Sequence, residues 1–596
     1  MTAPTSWSDA KSEGPLREEA SIDEAWSLIE RFSTLVRESG SEDEWTAAAY
    51  ISSRLDALGV QHELHDPELF LSIPKRARLS VQAGGETREL KAKTPAFSVS
   101  TGDEAIEGEL LYVPTDQATG VSDLFGADPE IPEGIEGKIV LTEGNPLPGK
   151  VAAFAKAGIR AMVYVGPGEN IHEGIITPIW GAPDLDNAGW QPETTVLAIN
   201  RPEGEWLVGQ CKNGRVEVSL NTWLEEGWMR CPLVEATIPG NEEPDKYVLL
   251  HGHIDSWHVG IGDNATGDAT LLEVARLMQE RRSELRRGVK VCWWPGHSTG
   301  RYAGSTWYAD NFALDLDANC VAHINCDSPG CRWATVYENI MWMAEADDVA
   351  RGAIADSAAQ PAERIRPIRA GDISFNNLGI STLYMLSSTM PRELLDEKGY
   401  YTVGGCGGNI EWHTEDDTLE IADREILQKD IEIYATAGWR VANAPLLPLD
   451  YRRTVDELVA YLKDYEKAAA GRVSFDVALK SAARTKASLE DLYGRSEGAN
   501  KEELNVINEA LLRAGRRLVS VGFSERGKFR QDSALKVPPI PSVAPAQGLS
   551  VLTEGSHEDR VVRTHVVRGL NEVAFGLAEA GRECELALKE IGQKSR

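Results

Sequence analysis

One stretch of the chain, residues 247–267, concentrates side chains that can bind a metal ion. A short apolar run, YVLL, has the composition of a buried strand and leads directly into His253 and Asp255. Asp263 follows in a glycine-rich loop, and a helical pattern begins near Thr266. This order predicts one imidazole and two carboxylates at the carboxyl end of a strand, where open α/β sheets bind their ligands.

Two later segments supply similar groups in similar positions. Asp327 ends the apolar run CVAHINCD, and His413 lies in IEWHTEDDT, just before another helical pattern. We predict that His253, Asp263, Asp327 and His413 converge as metal ligands. Two imidazoles and two carboxylates suit Zn²⁺ best, with Fe²⁺ or Mn²⁺ as alternatives, in one or two ions. Asp255 is predicted to accept a hydrogen bond from the His253 ring.

Three other histidines lie near these motifs. His251 is interpreted as structural, and His323, four residues before Asp327 on the same predicted strand face, is interpreted as a core residue or a weak alternate ligand. His258 is compatible with either a polar edge or the site.

The composition describes a globular protein with several domains. The chain has 596 residues, 42% apolar and 26% charged, which is too long for one hydrophobic core. A net charge of −32 argues against a nucleic-acid or anionic-membrane partner. The polar amino terminus, the lack of a long apolar run and eight cysteines without a CxxC pair together predict a cytoplasmic protein with free thiols.

The pattern of predicted elements divides the chain into four parts. Strands alternate with helices over residues 227–445, which predicts an α/β domain with a mixed, mainly parallel sheet flanked by helices. Residues 1–106 are assigned to the same domain. Residues 107–226 form an inserted β-rich module, interpreted as a lid or spacer, and residues 446–596 form a helical, dimerisation-like domain.

Two capping boxes are predicted at helix starts. Ser41 with Glu44 begins a helix that Gly59 ends, and Thr454 with Glu457 begins the first helix of the carboxyl-terminal domain.

The motifs HIDSW, GDNATG, INCDSPG and WHTEDDTLE resemble those of the co-catalytic zinc metallopeptidases, the peptidase M28-like family that includes bacterial aminopeptidases, glutamate carboxypeptidase and the transferrin receptor. The resemblance covers nearly the whole chain. It implies a zinc-peptidase-like fold with a protease-associated insertion and a helical domain that forms homodimers. It also implies that Asp263 bridges two metals, one held by His253 and Asp327 and the other by His413, and that a cis peptide follows Asp263.

The chain departs from this family at the catalytic loop. The family carries two adjacent glutamates there, a general base and a metal ligand, whereas this chain reads CWWPGHSTGRYAGS. Aligning the glycines places His297 at the base and Ser298 at the ligand, while an ungapped alignment places Ser298 and Thr299 there. Imidazole is the side chain that changes charge nearest neutral pH, so His297 is the candidate base.

Aromatic and cationic residues near this loop are candidates for substrate binding. Trp257, Trp412 and Tyr302 could line a pocket for a flat substrate or belong to the core. Arg301 could bind a substrate carboxylate or form a surface ion pair.

These features predict a metal-dependent hydrolase of an amide, peptide or related C–N bond, with His297 in place of glutamate. Two alternatives stay open. One is a non-peptidase metalloenzyme, a lyase or a small-molecule hydrolase, on the same fold. The other is a binding or scaffold protein without activity.

Overall fold

The computed structural model describes residues 7–115, 131–384 and 388–594. Its strands are β1 (Gln61–His65), β2 (Glu68–Ala83), β3 (Glu86–Leu90), β4 (Ile106–Tyr112), β5 (Ile139–Glu143), β6 (Ala161–Val165), β7 (Thr195–Ile199), β8 (Glu217–Arg230), β9 (Leu233–Ile238), β10 (Glu243–His253), β11 (Arg287–Trp294), β12 (Cys320–Asn325), β13 (Tyr337–Met341), β14 (Ala362–Ile365) and β15 (Ser381–Leu383).

The α-helices of the described residues are α1 (Ala10–Glu19), α2 (Ile22–Phe32), α3 (Glu42–Leu58), α4 (Pro148–Lys156), α5 (Arg201–Asn213), α6 (Thr266–Glu280), α7 (Ala303–Asn311), α8 (Ala313–Asn319), α9 (Asp347–Ala358), α10 (Arg392–Lys398), α11 (Arg424–Asn443), α12 (Tyr451–Ala468), α13 (Asp476–Ser496), α14 (Lys501–Phe523) and α15 (His557–Lys594). None of these helices combines the length and the apolarity that a membrane crossing requires.

The first sheet has the strand order β1-β9-β11-β10-β12-β15. Strand β10 lies inside it, parallel to β11 and β12, and β15 continues the parallel set, whereas β9 runs antiparallel to both of its neighbours, β11 and β1. Helices α6 and α11 pack against β10 and bury an apolar core with it. The predicted α/β class with a mixed, mainly parallel sheet is confirmed, and β10 ends at the predicted ligand His253.

The second sheet has the order β3-β2-β8-β4-β5-β6-β7 and takes its strands from residues 68–230. It therefore extends beyond the predicted limits 107–226 on both sides. The reason is the long antiparallel pairing of β2 with β8, in which Glu68 pairs with Arg230 and Gln82 pairs with Glu217. Strands β2 and β8 thus become part of the sheet of the insertion. We call residues 68–230, which supply all strands of this sheet, the inserted module.

The carboxyl-terminal region is helical, as predicted. Helix α15 packs along α13 and α14, and α12 packs against both of these. One predicted helix start is wrong: Thr454 lies inside α12, which begins at Tyr451 after the N-cap Asp450, and the Thr454 hydroxyl donates to buried Glu345 at 2.7 Å. By contrast, the Ser41 side chain caps α3 and Gly59 ends it with a left-handed conformation.

Candidate metal centre

The four predicted ligands lie together at the carboxyl edge of the first sheet. His253 is the last residue of β10, Asp263 precedes α6, Asp327 follows β12, and His413 comes from a loop before α11. The Asp263 carboxylate lies between two imidazoles, with Oδ1 2.9 Å from His253 Nε2 and Oδ2 3.0 Å from His413 Nε2. Asp327 Oδ2 is 4.0 Å from His253 Nε2. Parallel strands bring these distant positions to one edge.

The hydrogen bonds of both histidines indicate a cation site. His253 Nδ1 lies 2.8 Å from the main-chain oxygen of Asp255, and His413 Nδ1 lies 3.1 Å from that of Glu173. Because a carbonyl can only accept, each Nδ1 carries a proton, and each Nε2 is left for a metal ion or for a second proton that it would donate to Asp263. At 2.9 and 3.0 Å from the Asp263 oxygens, each Nε2 must share such a cation with the carboxylate. The residues therefore fit a zinc-type ion.

The electrostatics of the buried acids agree with this fit. Burial, with the nearby charge of Asp263, raises the pKa of Asp327 to about 6. A further carboxylate, Asp417, accepts from the main-chain N–H groups of Gly262 and Asp263 at 2.7 and 3.0 Å. Burial and the charge of Asp263 raise its pKa to about 7. Acids crowded in this way favour a positive counter-charge. The peptide bond Asp263–Asn264 is cis, as the family resemblance implied.

His297 lies directly over this cluster. Its ring stacks on the ring of His253 with centroids 3.8 Å apart and planes 16° from parallel. Its Nδ1 is 2.7 Å from Asp372 Oδ2, and the other oxygen of Asp372 accepts from the Ser305 hydroxyl at 2.6 Å. Sequence reasoning missed Asp372, whose segment GDISF carries no spacing signal toward the loop. The pair is an imidazole oriented by a buried carboxylate.

The stacking also bears on whether His297 binds the metal. Ligand atoms of His253, His297 and Asp327 all lie within 4.8 Å of one another, close enough to surround an ion. A ring nitrogen, however, coordinates in the plane of its ring, at about 2.0–2.1 Å for zinc. Two stacked, nearly parallel rings have planes that do not meet at such a distance. The geometry therefore favours His297 as a base beside the ion.

Asp255 performs a different task from the predicted one. Its carboxylate Oδ1 is 3.7 Å from His253 Nδ1, too far for a hydrogen bond, because the ring is already bonded to the main-chain oxygen of Asp255. The two carboxylate oxygens accept instead from the main-chain N–H groups of His297 and Ser298 at 3.0 and 2.9 Å and from the Ser39 hydroxyl at 2.8 Å. Asp255 thus fixes the catalytic loop. Ser298 is buried in that loop.

The inserted module contributes directly to the centre. The main-chain N–H of Glu173 donates to His413 O at 2.9 Å, while Glu173 O orients the His413 ring. The Glu173 side chain binds Lys93 at 2.8 Å and His258 at 3.0 Å. His258 therefore belongs to the contact between the module and the α/β domain.

The other two histidines form a buried chain in the core. His251 Nε2 is 2.9 Å from His323 Nδ1, and His323 Nε2 is 2.7 Å from the Thr382 hydroxyl. Burial lowers the pKa of both, that of His323 to about 3. Their placement in the core agrees with the structural interpretation.

A cleft opens over the cluster, and three of the four predicted substrate-binding residues line it. Arg301, Tyr302 and Trp412 share this cleft with the ligands and with segments 145–147 and 173–175 of the inserted module. Trp257 is placed differently: it packs with Phe154 in the apolar core of the module. Of the two alternatives that the sequence left open for Trp257, the structure shows the core position, from which its ring lies edge-on to the His413 ring with centroids 6.0 Å apart.

The comparisons with known proteins agree with the fold. Residues 234–437 match the sequence model of peptidase family M28. A probable glutamate carboxypeptidase of Zea mays is 24% identical over 335 residues, 47% of this chain and 46% of the maize protein. The chain thus spans about half the length of the curated relatives it matches.

Two solved structures share the fold. A peptidase M28 precursor from Shewanella amazonensis SB2B has a TM-score of 0.55 and 20% identity, covering 73% of this chain and 96% of the other. An aminopeptidase from Aneurinibacillus sp. strain AM-1 has a TM-score of 0.52 and 19% identity, covering 72% and 96%. The chain therefore shares the fold of these two peptidase structures, and residues 234–437 are similar to peptidase family M28.

Proposed function

We propose that the protein is a metal-dependent hydrolase of an amide, peptide or related C–N bond, in which His297 replaces the glutamate base of the family. One observation carries the proposal: an imidazole held by Asp372 at 2.7 Å lies 3.8 Å above the ring of a metal-binding histidine. Zinc bound by His253, Asp263, Asp327 and His413 would supply Lewis-acid activation of a carbonyl and of water.

Side chains of the protein would transfer the proton of the attacking water. Asp372 holds the proton on Nδ1 of His297, so Nε2 is free to accept a proton from the attacking water and to pass it to the leaving amine. Tyr302 lies edge-on to the His297 ring at 4.8 Å and limits its rotation. The N–H groups of the catalytic loop are anchored on Asp255, which holds this arrangement over the ligands.

We further propose a cytoplasmic homodimer formed through the helical domain. The support is chemical: all eight cysteines are free thiols, seven of them buried, which suits a reducing compartment. Helix α15 also exposes large apolar side chains to solvent, Val561, Phe575 and Leu586 among them.

The base assignment is tested with His297→Gln, which keeps a polar side chain of similar size but no titratable nitrogen. Purified metal-replete protein is assayed on a peptide panel and on small-molecule amides, and its zinc content is measured. We expect kcat to fall about 10²–10⁴-fold while the zinc content stays as in the wild type. His557→Gln, at an exposed histidine far from the cleft, is the matched control and keeps full activity.

Three results would contradict the proposal. Loss of zinc together with His297 would make this residue a ligand. Undiminished turnover in the variant would remove it from the chemistry. A wild-type protein that retains less than about half an equivalent of transition metal per chain would exclude the intact four-ligand site.

A further inference from the structure

The cleft contains a buried cation without a counter-ion. Arg301 is only 3% exposed, and its Nε has no hydrogen-bond partner. Within the described ranges 7–115, 131–384 and 388–594, no carboxylate lies within ion-pair distance of its guanidinium. The surface ion pair considered from the sequence is therefore absent there. Buried guanidinium groups are normally paired, since water no longer solvates them, so this exception requires an explanation.

The loop backbone holds Arg301 in place firmly. Arg301 and Tyr302 both have left-handed conformations, with φ of 50° and 68°, which is uncommon for two successive non-glycine residues. Gly181 of the inserted module donates its N–H to Arg301 O at 2.8 Å, and the N–H of Tyr302 donates to His297 O at 3.2 Å. Such a conformation persists where the surroundings enforce it, often at ligand sites.

Contacts with aromatic rings also hold the Arg301 guanidinium in its position beside the cleft. Arg301 Cζ lies 5.0 Å from the centroid of the Tyr302 ring, whose other contacts are the ring of Trp180 at 4.2 Å and the ring of His297 at 4.8 Å. Arg369 lies beyond Trp180 and is fully engaged, because it donates to the main-chain oxygens of Asp532 and Ser533. Of the two cations in this stack, Arg301 is the one that lines the cleft.

We propose that Arg301 binds a carboxylate of the substrate, so that the preferred substrates are amides with an anionic carboxylate close to the scissile bond. This inference deepens the proposed function and rests on it. Planar guanidinium binds carboxylate through two parallel N–H···O bonds. Apart from Tyr302, the other ionisable side chains that line the cleft are the acids Glu173, Asp263 and Asp327 and the imidazoles of His297 and His413, so Arg301 is, among the described residues that line this cleft, the one with a permanent positive charge.

The same arrangement predicts rejection of neutral analogues. A neutral amide would cover Arg301 without neutralising its charge. A site built around a polar partner discriminates strongly against ligands that lack it, since the buried group then stays unpaired. Selectivity should therefore depend on the charge of the substrate more than on its size.

Binding is measured by calorimetry on metal-loaded protein carrying His297→Gln, so that the probes remain intact. The probes are N-acetylglycine, N-benzoylglycine, their two carboxamides and N-acetylglutamic acid diamide. The diamide has no carboxylate and serves as a size control. We expect each acid to bind about 10–100-fold more tightly than its carboxamide, as for one or two charge-assisted hydrogen bonds. Adding Arg301→Leu removes that preference, and Arg301→Lys retains part of it.

Arg484→Leu, an exposed arginine on α13, is the matched control and leaves the preference intact. Thermal unfolding separates binding from a structural role: Arg301→Leu should melt at or above the wild-type temperature, because replacing an unpaired buried charge by an apolar side chain is not destabilising. A carboxylate bound only by the metal would give a preference that survives Arg301→Leu, and that result would overturn the inference.

The inference and the proposed function fail in distinguishable ways. Equal kcat/KM for acids and carboxamides in the wild type, or no binding of any acid, overturns the inference and leaves the hydrolase intact. Arg301-dependent binding of the acids without turnover of any amide overturns the hydrolase and supports the anion site.

Discussion

At the scale of single residues, the centre is defined by where each imidazole places its proton. Main-chain carbonyls accept hydrogen bonds from Nδ1 of His253 and His413, whereas a carboxylate, Asp372, accepts the hydrogen bond from Nδ1 of His297. A neutral acceptor leaves an imidazole as a good metal ligand. An anionic acceptor orients the ring and balances the positive charge that forms on it during proton transfer, which suits a base. The acceptors thus separate two roles for one residue type.

This separation gives a prediction for Asp372→Asn. The variant keeps the size of the side chain but removes the charge that holds His297, so we expect kcat to fall about 10–100-fold with KM and zinc content nearly unchanged. Steady-state kinetics and metal analysis of the purified variant provide the measurement. Asp56→Asn, at an exposed acid on α3, serves as the control. A change confined to KM would assign Asp372 to substrate binding instead.

Some residues of the centre could be predicted from the sequence, and others could not. His253, Asp263, Asp327 and His413 were predictable because each follows a strand-like run or a recognisable motif. Asp372 and Asp417 were not, since a carboxylate in a loop gives no indication of which imidazole or N–H group it will meet. Asp255 was assigned the wrong partner because main-chain oxygens, which have no sequence signature, had already satisfied the His253 ring.

At the scale of elements, local rules succeeded where the chain is exposed and failed where tertiary contacts compete. Ser41 caps α3 as predicted, and its hydroxyl accepts from the Glu44 N–H at 3.2 Å. Thr454 is buried against Glu345, and Asp450 begins the helix instead. The strand and helix order from β10 to α7 was predictable from periodicity, whereas the pairing of β2 with β8 was not, because it joins segments about 150 residues apart.

One contact between elements makes stability depend on pH. His172 of the inserted module donates from Nδ1 to Trp412 O at 2.6 Å, and its Nε2 is 2.8 Å from the Tyr401 hydroxyl. Burial lowers its pKa to about 4, against about 6.5 in an unfolded chain. As pH falls between these values, the unfolded chain binds a proton that the folded chain does not, so the free energy of unfolding decreases by up to about 3 kcal/mol.

His172→Asn should therefore show a smaller loss of melting temperature between pH 7 and pH 4.5 than the wild type, measured with chelator at both pH values. The other buried histidines contribute equally to both proteins. His557→Gln, which is exposed, should retain the wild-type pH dependence. Identical slopes for His172→Asn and the wild type would show that His172 is already accessible to protons in the folded state.

At the scale of the whole molecule, we expect α15 to form the dimer contact. Phe575 is 66% exposed on this helix, and Phe575→Glu places a charge where apolar burial would be needed. Light scattering after gel filtration should give twice the chain mass for the wild type and the single-chain mass for the variant. Val477→Glu, an exposed apolar position on α13, controls for added charge. A monomeric wild type would refute this assignment.

The two hydrogen bonds between Glu173 and His413, one between main chains and one from the His413 ring, have a consequence for biosynthesis. Residue 173 is translated early, but its carbonyl has no imidazole to orient until residue 413 has left the ribosome. A nascent chain that stops before that point contains His253, Asp263 and Asp327 but lacks the fourth predicted ligand, His413. Completion of the ion-binding site is therefore a late event in synthesis, and ribosome-bound fragments should acquire wild-type zinc retention only after this loop has emerged.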